Sequence, residues 1–177
     1  SRKISQRSLI IGLIVMLAAW PVGLMAQRYH VAACDWMMLK RQKLGEFKLA
    51  REIGADGVEM DIRPLGPRIL FDNKLRDPHF QQLFRHTADS IGVKVPSIAM
   101  SGFFAQSFLK RENYRDLIND CLQTMAVMDS RVAFLPLGGS GHEWKENGIA
   151  RTELVRLLHE VGEMARLAGK IIAIRTQ

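Results

Sequence analysis

A junction in which a helix ends at a glycine and a strand follows at once recurs through this sequence, and it limits the folds open to the chain. Gly54, Gly92 and Gly169 each stand at such a junction, and Asp129-Ser130 occupies the same place between the second and third glycines. The spacing is 38 or 39 residues throughout. Glycine is preferred after a helix because the backbone turns left-handed there. Strands that alternate with helices at this spacing predict a sheet of parallel strands.

Around these junctions we predict five strands and four helices. The strands are Tyr29–Cys34, Gly57–Asp61, Val93–Met100, Val132–Leu137 and Lys170–Ile174. The first helix is predicted over about Leu39–Ile53 and the fourth over about Thr152–Ala168. The second begins at Asp77-Pro78, an N-cap followed by the proline favoured at the first helical position. The third opens at Asn113.

Two architectures cover parallel strands with helices in this order: an open doubly wound sheet and a closed (β/α)8 barrel. No G-x-G-x-x-G motif follows the first strand, which disfavours the dinucleotide-binding form of the open sheet. Polar and charged residues instead follow the strands at their carboxyl ends, where barrel enzymes carry their chemistry. We therefore predict an α/β fold, a (β/α)8 TIM barrel truncated after about the fifth strand.

Residues 1–26 have the order of a secretory signal peptide: basic residues, an apolar run over Leu9–Trp20 and a break at Pro21. The apolar run is shorter than the roughly 20 residues of a membrane-spanning helix. We therefore predict export to the periplasm or the extracellular space, with an uncleaved membrane anchor as the alternative. The remaining residues, 27–177, are predicted to form one partial barrel domain.

Charge and cysteine content narrow the partners and cofactors of the chain. The net charge is +7, and it falls to +4 without residues 1–26, which hold three basic residues and no acidic one. No run of five basic residues follows, so we predict no nucleic-acid partner.

Cys34 and Cys121 fall in a strand and in a helix that are not expected to meet. We predict two buried free thiols rather than a disulfide or a metal pair.

Glu59 and Asp61 close the second strand and are the first candidates for catalysis. Residues two apart on a strand share a face, so both carboxylates can point into one cavity. There they can bind sugar hydroxyls, help to hold a metal, or act as a general base. The alternative is structural: one of them caps the next turn and pairs with Arg63.

Five further residues at the carboxyl ends of strands are candidates for substrate binding. Asp35 and Trp36 end the first strand, and a tryptophan at a pocket mouth can stack on a sugar ring. Ser101 follows the third strand and can hydrogen-bond a ligand. Gly139 and His142 follow the fourth, where backbone N–H groups of a glycine-rich loop can surround an anion. A buried tryptophan and an ordinary turn are the alternatives for the first and last of these groups.

The ordered set of these segments resembles the xylose isomerase-like TIM-barrel superfamily, in particular its sugar phosphate isomerase/epimerase branch. The resemblance is carried by four segments, Ala33–Trp36, Gly54–Glu59, Phe134–Gly138 and Gly162–Ile174. It covers residues 29–177 and implies a truncated barrel of xylose isomerase-like type. It also implies a divalent metal (Mn, Mg or Zn) whose first ligand is a glutamate ending strand five. Arg175 occupies that position here, and a guanidinium has no lone pair to donate.

The resemblance implies an exported isomerase or epimerase that moves a proton between adjacent carbons of a sugar or sugar phosphate. A truncated, catalytically inactive relative that at most binds a sugar is the alternative. A metal-dependent nuclease acting at abasic sites is a third hypothesis, which the export signal and the charge pattern disfavour. An unfinished barrel leaves strand edges unpaired, so we also expect self-association. The export signal is the one membrane contact that the sequence predicts.

Overall fold

The computed structural model describes residues 29–63, 65–139, 141–145 and 148–176. The predicted signal peptide lies outside these residues. Five strands form one parallel sheet in the order β1-β2-β3-β4-β5. The strands are β1 Ala32–Cys34, β2 Gly57–Asp61, β3 Lys94–Ala99, β4 Val132–Pro136 and β5 Ile171–Arg175. The α-helices are α1 Gly45–Glu52, α2 Pro78–Ile91, α3 Tyr114–Val127 and α4 Ile149–Leu167. The predicted α/β architecture with parallel strands is confirmed.

The helix-to-strand junctions have the predicted backbone. Gly54, Gly92 and Gly169 have φ angles of 80°, 73° and 66°, in the left-handed region. Asp129, at the junction without a glycine, has a φ of 55°. Asp is one of the few residues besides glycine that visit this region at low cost. The repeat is therefore confirmed at all four junctions.

The amino ends of α2 and α3 are also where the sequence places them. The Asp77 side chain accepts a hydrogen bond of 2.9 Å from the backbone N–H of His79, and Pro78 is the first helical residue. Asn113 is the N-cap residue of α3. The Asp77 signal was sufficient because a cap acts on atoms within three residues of itself. Asn113 makes no capping bond, and its side-chain amide donates to the carbonyl of Ile69 at 2.8 Å instead.

The first predicted helix is wrong in its amino-terminal part. It begins at Gly45 rather than at Leu39, and the residues between β1 and α1 form turns. Leu39 and Gln42 have positive φ angles of 57° and 43°, which a continuous helix does not allow. The Asp35 carbonyl accepts from the Lys40 N–H at 2.8 Å, and its carboxylate accepts from the Gln42 N–H at 3.0 Å. These local bonds compete successfully with helix formation.

The two faces of the sheet are covered differently. One face packs under the helices, and its side chains are buried with the aromatic residues Phe47 and Phe84. Strand pairing places alternate residues on the other face, which we call the open face. One row of the open face runs across all five strands: Cys34, Glu59, Ser97, Val132 and Ile171. These five side chains are partly or largely exposed.

Strands β1 and β5 form the two edges of the described sheet. On β5, Ile171 is 47% exposed and Ile174 is 50% exposed. Val31, just before β1, is exposed as well. Both edges thus present apolar side chains and backbone groups without a strand partner among the described residues. In the same part of the chain, no helix has the length and apolar content needed to cross a membrane.

Candidate functional site

Glu59 is the carboxylate of the open face that a ligand can reach. It lies in β2 with its side chain partly exposed, and the hydroxyl of Ser97 in β3 donates to Oε2 at 2.8 Å. Ser97 and Glu59 are paired residues of neighbouring strands, so the strand register itself sets this contact. The bond orients the Glu59 carboxylate. Among the described residues, Glu59 makes no ion pair with a basic side chain. Such a group can accept bonds from hydroxyls or transfer a proton.

Asp61, two residues further along β2, is fully buried and heavily hydrogen-bonded. Oδ2 accepts from Nε of Arg41 at 2.9 Å and from the Ser101 hydroxyl at 2.7 Å. Oδ1 accepts from the backbone N–H groups of Ser101 at 3.2 Å and Arg63 at 3.3 Å. A carboxylate has about four lone-pair sites, and four donors occupy them. The ion pair of Asp61 is with Arg41, whereas Arg63 contributes its backbone N–H only.

Asp35 is buried behind this cluster and joins two parts of the backbone. Oδ1 accepts from the N–H of Asp61 at 3.1 Å, and Oδ2 accepts from the N–H of Gln42 at 3.0 Å. The N–H of Asp35 donates to the carbonyl of Glu59 at 3.0 Å. Burial raises the pKa of Asp35 to about 6, against the effect of the two N–H groups. Asp35 and Ser101 therefore lie beneath the surface, and substrate contact by either stays a prediction.

Trp36 and Cys34 flank the same end of β1. Trp36 is partly exposed in the turn that follows the strand, so stacking on a sugar stays a prediction. Cys34 lies on the open face beside Glu59. Burial first, and the charge of Glu59 second, raise the pKa of its thiol to about 12. Cys34 and the fully buried Cys121 are free cysteines, and a thiol that stays protonated is not a nucleophile.

The glycine-rich loop after β4 packs tightly against the turn that follows β3. A Cβ on Gly138 would lie 2.1 Å from the carbonyl oxygen of Phe103, so a larger residue cannot occupy this place without a backbone shift. A Cβ on Gly139 would lie 2.0 Å from Oε2 of Glu143. Glu143 is buried and accepts from the Ser107 hydroxyl at 2.5 Å. The loop therefore already has a carboxylate beside it, which disfavours a phosphate at the same place.

His142 lies in the 3₁₀ turn Gly141–Trp144. Its side chain is outside the described part of the structure, as is all of Ser140. Its predicted contact with substrate stays a prediction.

Arg175 ends β5 on the open face. Pairing of Ile171 with Val132 and of Arg175 with Pro136 gives both β5 residues the same face as Glu59. The Arg175 guanidinium lies 5.5 Å from the ring centroid of Phe104. It makes no ion pair within the part of the chain that the structure describes. A planar guanidinium on an aromatic ring keeps its edge for hydrogen bonds to a ligand.

Three residues of this region were missed by the sequence analysis: Arg41, Ser97 and Glu46. Arg41 lies in the short basic stretch Lys40–Lys43, and Ser97 sits inside a strand between apolar residues. A polar residue in the middle of an apolar strand was the available signal for Ser97. Glu46 precedes Ala50 by four residues, so its place on the buried side of α1 could have been found from helical spacing.

Two cavities of 380 Å³ lie at the opposite, amino edge of the strands. One is lined by residues that include Arg85, Lys94 and Arg131, and the other by residues that include His30 and Arg51. Neither contains a candidate site residue. The chemistry-bearing side chains thus lie on the open face and at the carboxyl edge, not in these cavities.

Comparison with known proteins identifies the fold. The family model described as Xylose isomerase-like TIM barrel matches residues 47–177. No curated protein matches the chain.

Solved structures of similar fold have low sequence identity. A 3-keto-D-glucoside 4-epimerase from E. coli aligns with a TM-score of 0.59 and 14% identity, covering 83% of this chain and 56% of that one. A xylose isomerase-like TIM barrel protein from Mycobacterium smegmatis in complex with magnesium gives 0.57 and 16%, covering 84% and 55%. A D-tagatose 3-epimerase-like protein gives 0.58 and 15%, covering 82% and 52%. At these identities the likeness concerns the fold, and the chain spans about half the length of these proteins.

The described residues do not fit the divalent metal that the resemblance implies. The lone pairs of Asp61 are taken by four donors, one of them cationic. Arg175 adds a second positive charge at the carboxyl edge. Within the described ranges, no three His, Cys, Asp or Glu side chains converge on a point where a metal ion can bind. The chemistry available to these residues is hydrogen bonding and proton transfer.

Proposed function

Since this chain belongs to the xylose isomerase-like TIM barrel family, we propose that it provides the first five strands of a sugar isomerase or epimerase. Its carbohydrate ligand binds on the open face at the carboxyl edge of the sheet. The sugar epimerases among the structural neighbours support this assignment. The single observation that carries it is Glu59, a partly exposed carboxylate oriented by Ser97.

Glu59 acts on the sugar in one of two ways. Its carboxylate accepts hydrogen bonds from sugar hydroxyls. In a reaction it takes a proton from the hydroxyl-bearing carbon next to a carbonyl and returns it to the carbonyl carbon, while the hydroxyl proton moves to the carbonyl oxygen. Trp36 offers a ring face at the same edge. Arg175, whose guanidinium lies over the Phe104 ring, offers N–H donors to hydroxyl or carbonyl oxygens. No step is assigned to a metal on these residues.

A neutral sugar suits this half of the site better than a phosphorylated one. The glycine-rich loop after β4, where a phosphate was one expectation, lies beside the buried Glu143. The Glu143 carboxylate occupies the space beside Gly139 that an anion would need. Export, which we also propose from residues 1–26, would bring the protein to free sugars and glycosides.

The second candidate is a sugar-binding relative without catalytic activity. It is favoured by one specific observation, the full engagement of Asp61 by Arg41, Ser101 and Arg63. A carboxylate in this state cannot assist Glu59 as the second acid or base. Binding then relies on Glu59, while proton transfer lacks a partner.

Solvent deuterium separates the two candidates. The chain is mixed with D-fructose or D-tagatose in two parallel samples. Binding is followed in H₂O through the amide signals of Glu59 and Ser97, and isotope entry into the sugar is followed by NMR in D₂O. An enzyme introduces deuterium next to the carbonyl, and Glu59→Gln slows this step by about 10²–10⁴-fold. A binder shifts the signals without isotope exchange, and Glu59→Gln weakens binding about tenfold.

The matched control is Glu52→Gln, which neutralises an exposed carboxylate at the end of α1. It should change neither binding nor exchange. If no neutral sugar perturbs the Glu59 and Ser97 signals at millimolar concentration, the proposed function is wrong. D-fructose 6-phosphate serves as the charged probe, and tighter binding of this compound would overturn the preference for a neutral ligand.

Export is tested separately. The chain with its own amino terminus is expressed in a bacterium, and the fractions are examined by mass spectrometry. We expect a periplasmic or secreted form that begins at Gln27. Recovery of the uncut chain in the cytoplasm contradicts the proposal, and an uncut chain in the membrane fraction supports the anchor instead.

A further inference from the structure

The turn between β1 and α1 contains a buried glutamine with a left-handed backbone. Gln42 is 2% exposed and has a φ of 43°. This region of backbone conformation is disfavoured about 5–30-fold for a residue other than glycine. Such a conformation persists only where the surrounding contacts determine it, so the contacts of Gln42 show what maintains this turn.

The Gln42 side chain is held through both polar atoms of its amide group. Its Nε2 donates to Oδ1 of Asn73 at 3.0 Å, and its Oε1 accepts from the backbone N–H of Lys74 at 2.7 Å. The Nζ of Lys74 also donates to the Gln42 carbonyl at 2.9 Å. The side chain and the carbonyl of Gln42 are therefore fixed to the segment that precedes α2.

Asn73 is fixed in turn to a third part of the chain. It is 6% exposed, and its Nδ2 donates to Oδ1 of Asp120 at 2.8 Å and to the hydroxyl of Thr124 at 2.7 Å, both in α3. Its Oδ1 also accepts from the N–H of Leu75 at 3.1 Å. An asparagine amide has two donors and two acceptor lone pairs, and these contacts together with Gln42 use all four. Asn73 is therefore an acceptor of fixed orientation for the glutamine.

The backbone of Gln42 leads directly to the candidate site. Its N–H, in the peptide unit shared with Arg41, donates to Oδ2 of Asp35 at 3.0 Å. The Nε of Arg41 donates to Oδ2 of Asp61 at 2.9 Å. The Arg41 side chain is 28% exposed, so burial alone does not hold it there. Rotation about φ of Gln42 would move the peptide unit that carries Arg41 relative to the anchored glutamine side chain.

We propose that Gln42 is a positioning residue for the candidate site, because its anchored amide maintains the left-handed turn in which Arg41 pairs with Asp61. Gln42 acts through Arg41, and its own buried side chain does not contact a ligand. The ion pair leaves Glu59 as the carboxylate of β2 that a ligand can reach. The relevance to catalysis rests on the proposed function, whereas the turn itself is tested without a sugar.

Two substitutions of Gln42 separate this role from a purely structural one. Gln42→Ala and Gln42→Gly remove the same side-chain hydrogen bonds, but glycine, unlike alanine, adopts the left-handed backbone without a steric penalty. The quantity measured by NMR is the solvent exchange rate of the Arg41 Nε–H, which the bond to Asp61 slows. We expect this rate to be about 5–30-fold higher in Gln42→Ala than in Gln42→Gly. Arg166, whose Nε donates to Glu163 on the surface, is the internal control and should exchange equally in both variants.

The other outcomes contradict the proposal. If Gln42→Gly raises the Arg41 exchange rate as much as Gln42→Ala does, the loss of hydrogen bonds releases the arginine and the turn conformation does not matter. If neither substitution raises the rate above that of the unaltered chain, the Gln42 amide does not position Arg41.

Lys74→Met keeps the test decisive if either of these variants fails to fold. Lys74 is exposed, and the substitution removes its Nζ bond to the Gln42 carbonyl. The loss of one hydrogen bond should raise the Arg41 exchange rate by about two- to tenfold. Lys48→Met, at an exposed position of α1, is the matched control and should leave the rate unchanged. An unchanged rate in Lys74→Met, or an equal rise in Lys48→Met, overturns the proposal.

Discussion

The carboxyl ends of β2 and β5 lie at one edge of the same sheet, yet their charged side chains are held in opposite ways. At the end of β2, Asp61 is buried and accepts four hydrogen bonds, including those from Arg41 and Ser101. At the end of β5, Arg175 is exposed, and its contact among the described residues is the ring of Phe104. The hydrogen-bonding sites of the Asp61 carboxylate are thus occupied at the β2 end. At the β5 end, the N–H donors of Arg175 and the apolar side chains of the strand are exposed.

The largest effect should come from removing the buried carboxylate. Asp61→Ala leaves the Arg41 guanidinium, the Ser101 hydroxyl and two N–H groups without their acceptor, so we expect a loss of about 2–4 kcal/mol in the free energy of unfolding. This value is below that for a fully buried pair, because Arg41 is 28% exposed and can reach solvent. Urea denaturation measures the loss.

Arg175→Ala is the matched change at the β5 end and should alter stability by less than about 0.5 kcal/mol. Glu163→Ala, in an exposed pair with Arg166, sets the background for a surface charge. If Arg175→Ala lowers the free energy of unfolding by more than about 1 kcal/mol, the Arg175 side chain is held by stabilising contacts as Asp61 is, and the contrast between the two strand ends is wrong.

The sequence predicted the frame of the β2 end and missed the contacts that complete it. The shared face of Glu59 and Asp61 follows from the period of a strand, which depends only on neighbouring residues. The pairing of Asp61 with Arg41 does not, because Arg41 lies 20 positions earlier, in a turn where Leu39 and Gln42 have positive φ angles that no local pattern indicates. The amino-terminal part of the helix expected over Leu39–Ile53 was wrong for the same reason: hydrogen bonds to Asp35 outweighed helix propensity before Gly45.

An intermediate effect should come from the loop after β4, which lies between the two ends. Gly138→Ala places a methyl group against the carbonyls of Phe103, Gln106 and Phe104. We expect a loss of about 1–3 kcal/mol in the free energy of unfolding, since backbone must move to make room. Thermal or urea denaturation measures this loss.

Gly162→Ala is the control for the glycine substitution. Gly162 lies inside α4, where a Cβ would meet no atom within 4 Å, so the change should stabilise the chain by up to about 1 kcal/mol. If Gly138→Ala lowers the free energy of unfolding no more than Gly162→Ala does, the loop after β4 can rearrange without loss of stability. It then resembles the exposed β5 end rather than the β2 end.

The position of this loop could be predicted from the sequence, but its contents could not. Glycines after a strand indicate a turn, and the suggestion of an anion site followed from their N–H groups. That Glu143 lies against Gly139 depends on how the following 3₁₀ turn folds back, and this is decided by packing against Ser107 on another segment. Sequence reasoning therefore predicted the strand ends that carry these residues more reliably than the partners of each side chain.

The smallest effect on stability, and the sharpest on association, should come from the β5 edge itself. Ile174→Lys puts a charge on the edge strand β5. Because the Ile174 side chain is 50% exposed, the free energy of unfolding should change by less than about 0.5 kcal/mol. Charged residues on an edge oppose pairing with another strand. We therefore expect sedimentation velocity to show self-association of the chain over a hundredfold dilution series, and a shift towards monomer in Ile174→Lys.

Leu167→Lys is the control that distinguishes association through the β5 edge from association through exposed apolar surface in general. Leu167 is 77% exposed at the end of α4, outside the edge strand, and receives the same new charge. If it lowers association as much as Ile174→Lys does, the contact is not strand pairing. If the unaltered chain is a monomer at every concentration, the β5 edge does not pair with a second copy of the chain. The contrast with the β2 end then concerns the exposed Arg175 side chain alone.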